Sequence, residues 1–120
     1  MISLLKRRIL GAGGNSIKGW IAVLRNEEAV QIEVLLSFIL LPLAVWLSET
    51  PNQLLWLVFS VVLVILVELL NTAIEAAIDR IGTERNPLSG LAKDVGSAAV
   101  FTAMMFLLFV WGVVLWQIYM

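Results

Sequence analysis

The 120-residue sequence predicts an all-α integral membrane protein, in which three transmembrane helices follow an amphipathic helix lying on the membrane surface. Three observations carry this expectation. The chain is 61% hydrophobic and 14% charged, with a mean hydropathy of +0.98, so it holds more apolar surface than a soluble domain of this length can bury. No charged residue occurs after Asp94, which leaves a run able to cross a hydrocarbon core of about 30 Å at about 1.5 Å per residue. All eight Lys and Arg fall within residues 6–25 and 80–93, as expected when the loops on one side of a membrane retain the positive charge.

Residues 1–28 mix Lys6, Arg7, Arg8, Lys18 and Arg25 with aliphatic residues and Trp20, a pattern suited to a helix in the membrane interface. A plain electrostatic anchor is one reading. The glycines of GAGGNS, residues 11–16, leave a second open, in which a ligand approaches the backbone. No charged n-region followed by a short apolar run and a cleavage site is visible, so no segment is expected to be removed. The first membrane helix is expected over about 30–47, with Pro42 kinking rather than breaking it. The second, 53–81, runs apolar from Gln53 to Val67 and continues past Glu68, projecting a polar end beyond the bilayer. The third, 87–119, starts with Asn86 as N-cap and Pro87 at the first helical position. The whole chain, 1–120, reads as one domain. The two basic groups predict a cytoplasmic N-terminus and 80–93 segment, with the SETPN turn (48–52) and the C-terminus on the opposite, periplasmic side. Trp46 and Trp56 beside that turn, with Trp116 and Tyr119, fit an aromatic belt at the outer interface.

The chain has no cysteine and no histidine, which excludes disulfides, the usual zinc sites, haem ligation and histidine acid/base chemistry. A net charge of −1 advertises no nucleic-acid partner. The strongest chemical signal is Glu68, Asn71, Glu75 and Asp79, at i, i+3, i+7 and i+11. At about 100° and 1.5 Å per residue they form a ridge roughly 80° wide and about 16 Å long. A charge at bilayer depth costs about 2.5–3.5 kcal/mol on insertion scales, so Glu68 should face protein, water or metal. Glu75, nearer the cytoplasmic boundary, suits a hard cation such as Mg²⁺, which takes one or two carboxylates plus phosphate oxygens. Glu68, deeper, suits a general base for a lipid hydroxyl. Two other readings stand beside this one: the ridge pairs helices through polar contacts, or it forms the ion path of a small non-enzymatic transporter, which leaves the block Ala92-Lys93-Asp94 unexplained. Lys93, Asp94 and Ser97 cluster near a helix start that can receive an anion, although Lys93, Arg80 and Arg85 also serve topology alone. Gly90 and Gly96 allow close packing of either a helix or a nucleotide. No G-x-x-x-x-G-K-[ST] loop is present and GAGGNS misses G-x-G-x-x-G, so the soluble phosphate-binding folds are excluded.

VELLNTAIEAAIDRIG (67–82) followed by GLAKDVGSAAV (90–100) closely resembles the prokaryotic diacylglycerol kinase family of small membrane enzymes, and SIKGW, RNEEA and Glu33 extend the similarity over nearly the whole chain. The resemblance implies an inner-membrane homotrimer that transfers a phosphoryl group from Mg-ATP to diacylglycerol, yielding phosphatidic acid, with active sites shared between neighbouring subunits. It implies that Glu68 accepts the proton and that Glu27 and Glu75 bind the metal and hold the nucleotide phosphates. Lys93 and Asp94 would contact ATP, with Glu84, Arg85 and Asn86 nearby and Arg8 and Asn15 approaching from the N-terminal helix. Arg8, Ser16, Glu33, Trp46, Asn71, Asp79 and Ser97 would support the site or meet the lipid beside Glu68. Asn15 and Ile17 depart from the aromatic residues expected there in many relatives, so the lining of both sites at that helix stays open. An undecaprenol kinase would keep the same phosphate machinery and differ along the lipid-facing groove; IDRIG and GSAAV favour diacylglycerol.

Overall fold

The computed structural model describes residues 1–82 and 84–120. They form four helices: α1 (Ile2–Asn26), α2 (Glu28–Leu47), α3 (Pro51–Ile81) and α4 (Pro87–Tyr119). The chain is all-helical, and α2, α3 and α4 are each long and apolar enough to cross a membrane.

One residue separates α1 from α2. Glu27 adopts extended backbone (φ −112°, ψ 106°) while its N–H donates to the Val23 carbonyl at 2.8 Å and its own carbonyl accepts from Gln31 N at 3.0 Å. The Gln31 side chain spans the bend by donating from Nε2 to the Leu24 carbonyl at 2.8 Å, which satisfies a carbonyl that the end of α1 leaves open. The GAGGNS stretch is helical, with Ser16 Oγ donating to the Ala12 carbonyl at 2.8 Å. No residue of α1 is buried within the chain.

Helix α2 buries Val30, Ser37 and Ala44, a seven-residue spacing that draws one stripe along its length. Pro42 lies inside it without ending it. Helix α3 opens on a matched pair of signals. Thr50 Oγ1 accepts from Gln53 N at 3.2 Å and Pro51, which has no N–H to satisfy, takes the first position. Helix α4 starts the same way, with Asn86 Oδ1 accepting from Leu88 N at 2.9 Å and Pro87 behind it.

Helix α3 is the middle helix, packed against both α2 and α4. Its buried residues Leu57, Ser60, Val61, Val64, Glu68, Asn71 and Ile78 follow the helical period, with two turns between Asn71 and Ile78, so one broad face meets its neighbours. Its antiparallel register with α4 is marked at three levels: Gln53 Nε2 donates to Gln117 Oε1 at 3.2 Å, Trp111 Nε1 to Ser60 Oγ at 3.1 Å, and Lys93 Nζ to Asp79 Oδ1 at 2.9 Å. The apolar core of Ala44, Leu57, Val61, Val110, Trp111 and Val114 occupies the half of the hairpin nearest the α2–α3 turn. Outward, Phe38, Trp46, Leu55, Phe101, Phe109 and Trp116 are all exposed, as sides meant for lipid or another subunit require. At about 1.5 Å per residue the 31 residues of α3 run for about 46 Å, more than a hydrocarbon core of about 30 Å, so a polar end can project into water.

Candidate site at the polar end of the hairpin

Beyond the apolar core, α3 presents its acid ridge in order of decreasing burial. Glu68 and Asn71 are each 8% exposed, Glu75 is half-buried and Asp79 is exposed. Asn71 Nδ2 donates to Glu75 Oε1 one turn on, at 3.3 Å. Asp79 is held by Lys93 across the hairpin, and both partners are largely solvent-exposed.

The ridge gathers further carboxylates from elsewhere in the chain. Glu68 stands within electrostatic reach of Glu75 on its own helix and of Glu27 at the α1–α2 bend, and Glu33 on α2 stands within reach of Glu68. Lys93–Asp79 is the single salt bridge among the described residues, so no cation pairs with this group of four. Glu33 Oε2 and Asn71 Oδ1 are buried with no hydrogen-bond partner among the described residues, an arrangement that costs free energy unless something else supplies charge or a donor. The donors are all oxygens, which suits Mg²⁺ and no soft metal. Among the described residues no three acidic side chains form a complete cage. That fits an ion held by one or two carboxylates with the rest of its shell from phosphate and water.

Three hollows lie along the polar part of the chain, and of the four ridge residues Asp79 alone lines one of them. A groove of about 620 Å³ at the α3–α4 junction is lined by Asp79, Glu84, Arg85, Asn86, Ser89 and Lys93, within the usual size of small-molecule sites. It therefore brings together four of the residues expected near a nucleotide, Glu84, Arg85, Asn86 and Lys93. A second, of about 540 Å³, lies between α1 and α3, where Ser16 and Glu27 face Thr72. A third, of about 330 Å³, is walled by Leu36, Leu40, Val64, Met104 and Leu108, with Glu33 at its polar edge.

Other expected residues stand apart. Asp94 and Ser97 are exposed on α4 and do not line the groove, and Arg8 and Asn15 are exposed on α1. Trp46 lies at the turn end of α2, 13 residues and about 20 Å of helix from Glu33. Thr72, which lines the second hollow, carries no charge and sits one residue off the ridge, so its position there had no signal in the spacing of the acids.

Comparison with known proteins identifies the family. The family model described as prokaryotic diacylglycerol kinase matches residues 14–115. A diacylglycerol kinase of Haemophilus influenzae is 47% identical over 100 residues, covering 83% of this chain and 85% of the relative. Those of Pseudomonas aeruginosa and Escherichia coli K12 are 42% identical over 109 residues and 44% over 110, covering 91% and 92% of this chain and 89% and 90% of the relatives. With the match spanning the α1–α2 bend, the acid ridge and the groove together, the chain belongs to the prokaryotic diacylglycerol kinase family.

Proposed function

We propose that this chain transfers the terminal phosphoryl group of ATP directly to the hydroxyl of diacylglycerol, giving phosphatidic acid and ADP at the cytoplasmic face of the inner membrane. The observation that carries this reading is a buried carboxylate, Glu68, set between the apolar half of the hairpin and a polar groove large enough for a nucleotide. A lipid hydroxyl reaches that level from the bilayer and a triphosphate reaches it from water.

Glu68 takes the hydroxyl proton as the lipid oxygen bonds to the terminal phosphorus and the bond from that phosphorus to the bridging oxygen breaks, releasing ADP. Glu27 and Glu75 would hold Mg²⁺. When bound, the ion supplies neutralisation of phosphate charge. Asn71 steadies Glu75 through its amide. Lys93, already held over the groove by Asp79, offsets charge on the phosphates, with Asp94 beside it. Glu84, Arg85 and Asn86 border the nucleotide, and Ser16, Glu33 and Ser97 support the lipid side. Arg8, Asn15 and Trp46 serve in the assembled enzyme, a homotrimer in which neighbouring subunits complete each site, with the N-terminus cytoplasmic and the C-terminus periplasmic.

The test is transfer of ³²P from labelled ATP to defined lipids by the purified chain in mixed micelles, with and without Mg²⁺. Label should enter phosphatidic acid only when Mg²⁺ is present. Transfer to undecaprenol in preference to diacylglycerol overturns the acceptor, and no consumption of ATP beside either lipid overturns the reading.

A further inference from the structure

In the polar half of the hairpin, Gly96 of α4 lies directly against the Asn71 side chain of α3. A methyl group added there would overlap the Asn71 amide oxygen and come within 3.2 Å of its Cγ. A Cβ at any of the other seven glycines would meet no described atom within 4 Å. Gly96 is buried, Asn71 is only 8% exposed and its amide oxygen is buried, so the oxygen side of the amide has little space to move into.

We propose that Gly96 is a positioning residue for phosphoryl transfer: its bare Cα gives the Asn71 amide the room to lie against α4, and that placement aims the amide NH₂ at Glu75. The inference rests on the reading of Glu75 as a carboxylate that holds Mg-ATP. The geometry leaves little slack. The Asn71–Glu75 hydrogen bond is already long at 3.3 Å, and the side chain has only staggered χ1 positions on its helix. A Cβ at position 96 displaces the amide from its oxygen side and carries the donor away from Glu75. General helix packing also favours small residues at contacts, but that contact would be with backbone or an apolar side chain. Here the atom met first belongs to a polar side chain of the ridge.

Four forms are compared with wild type: Gly96→Ala, Asn71→Ala, the two together, and Gly112→Ala as a helical glycine with open space around it. Phosphoryl transfer is measured against Mg-ATP and against diacylglycerol, and binding of Mg²⁺ with a non-hydrolysable ATP analogue is measured by calorimetry. Gly96→Ala should raise the KM for Mg-ATP and the Kd for the analogue about tenfold, the scale of losing a hydrogen bond to a charged group. The KM for diacylglycerol should not change, Gly112→Ala should behave as wild type, and the double variant should be no worse than Asn71→Ala alone. Wild-type affinity in Gly96→Ala overturns the proposal, and so do losses that add in the double variant, which would signal helix separation. A wild-type chain that binds the analogue but transfers nothing overturns the proposed function and leaves the Gly96 comparison intact.

Discussion

At the scale of single residues, the four polar positions of α3 form one ridge but meet four different surroundings. Glu68 sits deepest, near other carboxylates and away from any described cation. As the proton acceptor, Glu68→Gln keeps its shape and loses its basicity, so turnover should fall about 10²- to 10⁴-fold while Mg-ATP still binds. Turnover near wild type with unchanged substrates would remove Glu68 from that role. Lys93 poses a separate question because its ion pair with Asp79 is exposed, where solvent screens it. Lys93→Met should leave the unfolding midpoint where it was and raise the KM for Mg-ATP about ten- to a hundredfold. An unchanged ATP dependence would reduce Lys93 to a topological charge. The ridge was legible because its spacing follows the helical period and acids are costly at membrane depth. Its partners were not. Whether Gly96 faced a nucleotide or a helix depended on the register of α3 against α4, which one sequence does not encode locally.

At the scale of elements, the starts of the long helices were the most legible feature. Asn86 and Pro87 act as the cap and first residue anticipated for α4, because that chemistry is local. Pro42 sits within α2 without breaking it. The pairing of Trp111 with Ser60 had no such signal, since 51 residues separate them and neither belongs to a motif. Ser60 is fully buried, so Ser60→Ala strands an indole N–H in an apolar core. That should cost about 1–3 kcal/mol in reversible unfolding with increasing sodium dodecyl sulfate. Adding Trp111→Phe removes the stranded donor, so the two losses should combine to less than their sum; simple additivity would mean that the hydrogen bond contributes nothing.

At the scale of the whole molecule, the division of labour runs along the long axis. Apolar side chains of α2, α3 and α4 close over one another near the α2–α3 turn, and polar ones gather beyond them, where a buried amide oxygen and a carboxylate oxygen lack partners among the described residues. Composition made three spans legible, and the basic groups separated the two ends, but nothing in the sequence said that α3 would be the shared middle helix. The one-sided placement of the core has a further outcome for motion. Regions with few apolar contacts open at the lowest free energy, so this bundle should breathe from its polar end while the far end stays shut. In hydrogen–deuterium exchange, amides at 57–64 and 107–114 should be the last to take up deuterium and those at 75–82 and 84–93 among the first. Uniform uptake along both helices would show that the site is as rigid as its foundation.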